Sequence, residues 1–325
     1  MKAILVNEDK SLRWDNVPDP VLKENEVLVK VEDAALNRAD LMQREGNYPP
    51  PPGCPEWMGL EVSGEIVAMT EEAKAKAPHK IGDKVCALLG GGGYAEYVAV
   101  PYDMCMPVPK GCTMAEAAAI PEAFATAYLK LFVEGHAKAG DTLLMQAGAS
   151  GLASVVIPMA KAFGLRVITT VICDPERVAH LGADLVVDTR KENLPSVLKA
   201  EEEAGRAVDI AIDCLGGQNL GDCLPYVKYG CRWIVIAALA GASTTIDLKN
   251  IYKKNVRIVG STLRSRTPEK KAEILASLVK EVFPKVESGL LKPTIHAVLP
   301  ITEAEAAHDI LYKGQNVGTV VLKVM

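Results

Sequence analysis

The stretch Leu143-Leu144-Met145-Gln146-Ala147-Gly148-Ala149-Ser150-Gly151-Leu152-Ala153 constrains the fold of this chain more than any other. A buried-type strand runs into small residues and then directly into a helix. Backbone N–H groups at such a turn, with the positive end of the helix behind them, favour a diphosphate, and small side chains let it approach. The G-x-G-x-x-G pattern is incomplete here, so the motif alone does not separate a dinucleotide site from a tight strand–helix turn. Its context favours the dinucleotide, because a second strand at 167–171 follows at the right distance.

From residue 142 onward, apolar strands at 142–146, 166–171, 184–187, 208–213, 233–237 and 256–259 alternate with helical stretches such as 151–163. That alternation predicts an α/β fold with a doubly wound, largely parallel sheet. The first third reads differently. Short β-rich runs at 27–31, 62–69, 84–89 and 94–100, separated by Gly, Pro and acidic residues, predict a compact β-barrel. Gly82-Asp83 marks a turn entering a strand, and the run from Gly90 to Gly93 is either a flexible hairpin turn or a ligand cradle. Thr113-Met114-Ala115-Glu116 has the S/T-x-x-E capping pattern of a helix start, and a second helical stretch covers 123–133. After the parallel sheet come a helix at 269–287, a strand at 295–299, a helix at 303–312 and a strand at 319–324. These last pieces are too few for a domain and are expected to return to the barrel. The expected division is therefore 1–120, 121–262 and 263–325. Glu201-Glu202-Glu203 reads as a solvated helix face. Pro158 falls inside the helix after the glycine turn, as a tolerated bend or as a change of helix direction.

Composition narrows the function. The 325 residues are 49% apolar, enough for two domains with cores of their own. A net charge of −5 and a pI near 5.7 argue against a broad basic face for nucleic acid. No apolar run approaches the ~20 residues that span a bilayer. The opening MKAILVNEDKSLRW places acids where a signal peptide needs its apolar stretch, so a cytoplasmic protein away from membranes is expected. Eight cysteines without a C-x-x-C pair read as reduced, packed thiols, and the five histidines include no H-E-x-x-H pair.

Further segments carry a family resemblance. They are Ala35-Leu36-Asn37-Arg38-Ala39-Asp40-Leu41-Met42-Gln43-Arg44, Tyr48-Pro49-Pro50-Pro51-Pro52-Gly53, Gly59-Leu60-Glu61-Val62-Ser63-Gly64, and Ile81-Gly82-Asp83-Lys84-Val85. Ala118-Ala119-Ile120-Pro121-Glu122-Ala123, the Ala147–Ala153 turn, Leu263-Arg264-Ser265-Arg266 and Asn316-Val317-Gly318-Thr319 complete the set. In this order, over nearly the whole chain, they resemble the zinc-free quinone oxidoreductases of the medium-chain dehydrogenase/reductase superfamily. Within it they look most like the p53-inducible group, which is related to zeta-crystallin. The resemblance implies a GroES-like barrel plus a Rossmann domain, an NADPH cofactor, a small-molecule quinone as partner and a homodimer.

Zinc alcohol dehydrogenases of the superfamily carry Cys where this chain has Asn37 and His where it has Leu60, and their third ligand, a Cys, falls near Glu122. Leu60 cannot ligate and Asn37 is a poor zinc ligand, so no metal is expected. Without a Lewis acid, stabilising an alkoxide is hard, whereas a quinone accepts electrons readily and its anion is delocalised. The sequence thus favours a quinone reductase. Reduction of an activated C=C bond in an enone or alkenal is the enzymatic alternative, and a non-catalytic NADPH-binding structural or regulatory protein is the other.

By resemblance, the nicotinamide lies in a cleft between domains, where Tyr48 and Asn37 line the substrate site. Tyr48 can offer its O–H to a developing oxyanion, or is simply a loop aromatic beside a proline run. Asn37 is a donor or a bridge between backbone groups. Arg38 and Asp40 read as an ordering pair. For the cofactor the candidates are Thr126, Gly148, Ala149, Ser150, Gly151, Leu152, Ala153, Arg177, Ala238, Leu239, Leu263, Arg264 and Asn316. Thr126 approaches the nicotinamide or packs a helix, and Arg264 reaches the cofactor or a dimer surface. Relatives that use NADPH follow their second Rossmann strand with Gly-Ser and soon a Lys. This chain has Ile172-Cys173-Asp174-Pro175-Glu176-Arg177 there. Arg177 suits a 2′-phosphate, whereas Asp174 repels one and suits the 2′-OH of NADH. NADPH is the expectation, with NADH open.

Overall fold

A computed structural model describes residues 1–325. The chain divides into two units, Met1–Ala125 with Arg266–Met325, and Thr126–Ser265. The breaks fall a few residues beyond the positions expected from sequence.

The first unit opens with the antiparallel pair β1 (Lys2–Val6) and β2 (Leu12–Asn16). Next come β3 (Glu26–Ala35), α1 (Arg38–Arg44), β4 (Glu61–Met69), α2 (Glu71–Lys76), β5 (Lys84–Leu88), β6 (Tyr97–Pro101) and β7 (Cys105–Pro107). Two short helices follow, α3 (Met114–Ala118) and α4 (Pro121–Tyr128). The capping box read from sequence starts α3: Thr113 Oγ1 accepts from the Glu116 amide at 3.2 Å, and Glu116 Oε2 accepts from the Thr113 amide at 2.7 Å. After α4 the chain continues as a π-helical turn, Leu129–Glu134.

The second unit alternates as its sequence predicts. Its strands are β8 (Thr142–Met145), β9 (Arg166–Val171), β10 (Leu185–Asp188), β11 (Val208–Asp213), β12 (Val227–Val235) and β13 (Arg257–Gly260). Its helices are α5 (Ala153–Ala162), α6 (Leu194–Glu203), α7 (Gln218–Cys223) and α8 (Leu248–Lys254). All six strands are parallel, in the order β10-β9-β8-β11-β12-β13. The order reverses between β8 and β11, which is where doubly wound sheets bind ligands at their carboxyl ends. Leu144, Ile168, Ala211 and Trp233 from four neighbouring strands build one core with Leu198 of α6.

The C-terminal segment returns to the first unit, through α9 (Pro268–Ser277), α10 (Phe283–Glu287), β14 (Ile295–Pro300), α11 (Ala304–Tyr312) and β15 (Thr319–Lys323). β15 joins the sheet that runs β14-β15-β3-β4-β5-β7, with β6 also on β3. β15 meets β3 antiparallel at Val321↔Ala35, so residues far apart in sequence share one sheet.

Several expectations need correcting. The strand expected at 94–100 begins only at Tyr97, because Tyr94 is bound to the 57–59 segment instead. The glycines from Gly90 to Gly93 do not form a hairpin turn, since β5 and β6 are not paired with each other. Gly92 N donates to Trp57 O at 2.9 Å and Gly93 N to Gly59 O at 3.0 Å, and a Cβ on Gly59 would stand 2.6 Å from Gly93 Cα. Glycine serves close backbone packing there. β12 starts six residues earlier than the expected 233 and ends at Val235. The helix expected at 269–287 is interrupted by a π-helical turn, Leu278–Val282, just before Pro284, whose ring and missing N–H disturb regular hydrogen bonding. The acidic run is only partly solvated: Glu201 is buried and accepts from Arg166 at 3.0 Å and from Arg206 at 2.8 and 2.9 Å. The charge pattern showed three like residues but not the two arginines that come to one of them. All eight cysteines are unpaired, and five are buried. No helix is long and apolar enough to cross a membrane.

Candidate functional site

In the second unit the chain leaves β8 through Ala147, whose φ of +56° turns the backbone sharply. Strand β9 anchors this turn. Ala147 N donates to Thr170 Oγ1 at 3.1 Å, Gly148 N to Thr170 O at 2.7 Å, and Thr169 Oγ1 to Met145 O at 2.7 Å. Gly148 lies so close to β9 that a Cβ would stand 2.5 Å from Thr169 Oγ1. Ser150 then caps the helix, its Oγ accepting from Ala153 N at 3.1 Å. Pro158 lies inside α5, which continues to Ala162.

This geometry sorts the predicted cofactor residues. The amides of Gly148, Ser150 and Ala153 are all spent inside the chain, on Thr170 O, Ala147 O and Ser150 Oγ respectively. Ala153 is also fully buried, so it serves packing. The amides of Ala149, Gly151 and Leu152 take no acceptor within the chain. They sit at the N-terminus of the ten-residue α5, where the helix dipole favours an anion. Unspent amides above a turn too tight for a Cβ fit the diphosphate of a dinucleotide.

The loops beyond β11 and β12 continue side by side. Ile236 N donates to Asp213 O at 2.8 Å, Leu239 N to Cys214 O at 3.2 Å and Ala240 N to Leu215 O at 2.8 Å. Ala238 and Leu239 therefore lie at the carboxyl end of the sheet, both exposed. Asp213 fixes this corner: one oxygen accepts from Leu215 N and Gly216 N at 2.8 Å each, the other from the buried Trp233 Nε1 at 2.8 Å. Leu263 is buried, and Arg264 is half-buried on the segment after β13. That segment begins at Ser261, whose hydroxyl accepts from the buried Lys130 ammonium and donates to Glu134 Oε1 at 2.7 Å. Sequence reading missed this Lys130–Ser261–Glu134 cluster.

At the end of β9, Asp174 accepts from Glu176 N at 3.1 Å, capping its own turn, and Arg177 is exposed. Sequence reading also missed Arg190. β10 pairs with β9 at Asp188↔Val171, which brings Arg190 level with the bend at Cys173. Its guanidinium forks onto Asp188 at 2.6 and 2.8 Å, and that bond holds the carboxyl down at about 2.

In the first unit, Asn37 and Tyr48 flank α1. Asn37 stands at its N-cap, and Tyr48 is half-buried in the loop beyond its C-terminus. Seven residues of helix put the two ends ~10 Å apart. Asp40, buried, accepts from Asn37 N at 2.7 Å and from Gly59 N at 3.0 Å, while Arg38 donates to Leu311 O at 3.3 Å. Asn37 Nδ2 donates to Glu61 Oε1 at 2.8 Å, and Glu61 Oε2 accepts from Glu122 N at 2.8 Å. Glu61 is fully buried, and burial pushes its carboxyl up to about 8 against the pull of these two hydrogen bonds. Leu60 is buried and apolar. Asn316 spends its amide on its own loop, donating to Gly318 O at 2.8 Å. Thr126 is half-buried on α4, the first residue of the second unit.

Comparison with known proteins agrees with both units. Residues 23–110 match the alcohol dehydrogenase GroES-like domain family, and residues 151–281 the family described as zinc-binding dehydrogenase. The quinone oxidoreductase of Sus scrofa is 30% identical over 312 residues, covering 94% of this chain and 92% of that protein. The crystal structure of the quinone oxidoreductase from Thermus thermophilus, solved also with NADPH, superposes with a TM-score of 0.80 at 30% identity and full coverage of both chains. An NAD-dependent alcohol dehydrogenase superposes with a TM-score of 0.83 at 27% identity, also over both full chains. With the parallel sheet, its phosphate-type turn and the GroES-like unit in place, the chain belongs to the medium-chain dehydrogenase/reductase superfamily of oxidoreductases, with quinone oxidoreductases among its relatives.

Proposed function

We propose that this protein is an NADPH-dependent reductase of quinones that needs no metal ion. The observation that carries the cofactor half is the trio of unspent amides, Ala149, Gly151 and Leu152, at the start of α5. NADPH, when bound, supplies the hydride. The chain's own part is to hold the diphosphate on those amides, which add partial positive charge without a mobile side chain. The exposed Arg177 and the partly exposed Arg190 stand beside the end of β9, where a 2′-phosphate would need a cation, while Asp174 uses one carboxylate oxygen to cap its own turn. The similar quinone oxidoreductase solved with NADPH supports the same choice.

The metal-free half rests on donor chemistry. At the three positions where zinc relatives place ligands, this chain has the amide Asn37, the hydrocarbon Leu60 and Glu122, and Asn37 already donates to Glu61. Leu60 cannot bind zinc, Asn37 is a poor ligand beside thiolate or imidazole, and Glu122 by itself is too few ligands for a zinc site. An electron-poor dicarbonyl needs less help than an alkoxide, because its reduced anion is delocalised. Tyr48 O–H and the second amide proton of Asn37 are the donors offered to its oxygen. The exposed edge strand β13, with Ile258 on its surface, suits a homodimer.

The test is stopped-flow oxidation of NADPH against an ortho-quinone, a para-quinone and an alkenal, with superoxide detected alongside. Faster turnover of a quinone than of the alkenal is expected, without loss after exhaustive chelation. Turnover of the alkenal alone, or NADPH binding with no acceptor reduced, overturns the reading.

A further inference from the structure

The buried carboxyl of Glu61 has no part yet in the chemistry proposed above, although it touches one of its donors. Glu61 opens β4 directly after Leu60 and is fully buried. Each of its oxygens has a separate task. One takes Asn37 Nδ2 at the N-cap of α1, and the other takes Glu122 N in the first turn of α4, both at 2.8 Å. Asn37 is held a second way, through its backbone N–H on Asp40 Oδ2 at 2.7 Å.

A carboxyl is a costly group to bury merely to link two helix starts. Left without partners such a group costs several kcal/mol, and replacing it with a hydrocarbon is often neutral. The charged and titratable groups around it are Asp40 from α1, Glu122 from α4, Cys86 from β5 and Tyr94 from the loop before β6, none of them cationic. No ion pair therefore explains its presence. What the carboxyl supplies is direction. An asparagine amide has two nearly isosteric ends, and an acceptor on the nitrogen side decides which end faces where.

We infer that Glu61 is a positioning residue for Asn37: its carboxyl takes one Nδ2 proton, fixes the amide against flipping, and keeps the second Nδ2 proton for a carbonyl oxygen of the substrate. This deepens the reductase reading and rests on it for the identity of the substrate. The clamp itself is a property of the chain.

Two measurements test it. In protein labelled with ¹⁵N at asparagine, the two side-chain protons of Asn37 are expected to differ, one displaced and protected from exchange by its bond to Glu61. In Glu61→Leu, which offers Asn37 Nδ2 no acceptor, that displacement and protection are expected to fall to those of a solvent-exposed asparagine. An Asn37 signal in the wild-type protein with solvent-like shifts and exchange overturns the clamp, whatever the substrate and whether or not the variant folds. The kinetic arm is a double-mutant cycle on the quinone turned over fastest. Glu61→Leu is expected to lower kcat/KM for the quinone by about fivefold, the loss of one buried hydrogen bond that orients Asn37. The affinity for NADPH, measured by fluorescence titration, should stay within about twofold. In an Asn37→Ala background the same change is expected to have an effect of no more than about twofold, since nothing is left to position. An undiminished effect in that background overturns the positioning role while leaving the reductase reading intact. Failure of the wild-type protein to reduce any quinone overturns the reductase reading instead, and the spectroscopic arm then decides the clamp.

Discussion

The tight approach of Gly148 to β9 gives a prediction with a magnitude. Gly148 does not use a left-handed φ, so adding a Cβ has no conformational cost of its own; its cost is steric. In Gly148→Ala the Cβ would stand 2.5 Å from Thr169 Oγ1, 3.1 Å from Thr169 Cγ2 and 3.3 Å from Thr170 O. Thr169 is fully buried, and its hydroxyl donates to Met145 O at 2.7 Å, so it cannot swing aside freely. Rotating it strands a buried carbonyl at a cost of about 1–3 kcal/mol. Overpacking adds about 1–3 kcal/mol more. The expected loss is therefore about 2–6 kcal/mol in the stability of the second unit. Thr169→Ala alone should cost about 1–3 kcal/mol for the same stranded carbonyl. The double variant should cost less than the sum by at least about 1 kcal/mol, because the added methyl group then fills the space that the threonine side chain has vacated. Urea unfolding followed by the fluorescence of Trp233, the one tryptophan of this unit, reads the cycle, with Trp14 and Trp57 replaced by Phe throughout. Additivity within about 0.5 kcal/mol would refute the reasoning.

Other outcomes follow from the same structure. Lys130→Met should destabilise the second unit by about 3–5 kcal/mol by leaving Glu134 without its nearby cation, with part regained in Lys130→Met/Glu134→Gln, as read by denaturant midpoints. Burial, helped by the charge of Arg44, pushes His308 down to about 4. Below the ordinary histidine value of about 6.5 the unfolded chain binds a proton that the folded one refuses, so stability is lost as pH falls from about 6.5 toward 4. Urea titrations across that range should show a shallower acid slope in His308→Leu, and parallel curves would exclude the linkage. Arg177→Ala and Arg190→Ala are each expected to raise KM for NADPH several-fold and leave KM for NADH nearly unchanged. A clear preference of the wild-type protein for NADH would reverse the cofactor assignment.

Much of the second unit was legible in the sequence because its strands are buried on both faces and read as continuous apolar runs. The helix after the turn announced itself through small residues, and Thr113 and Glu116 marked a helix start through contacts three residues apart. Such signals are local. The sequence did not show how the turn divides its amides. Ala149, Gly151 and Leu152 keep theirs because Thr170, twenty or so residues away, takes those before them. Nor did it show that the Gly90–Gly93 run packs against residues 57–59, or that Glu201 is buried between two arginines.

The sequence alone determined the alternation of strands and helices, the place of the glycine turn and the presence of Asn37 and Leu60, a poor zinc ligand and a non-ligand, since each depends on residue type and near neighbours. Tertiary structure alone decided the clusters made across long separations: Asn37 with Glu61 and Glu122, Lys130 with Ser261, and Asp213 with Trp233. Hydrogen bonds between such residues have no period along the chain. They exist only once sheet register and helix packing have brought buried polar groups together and left them no solvent to bond to.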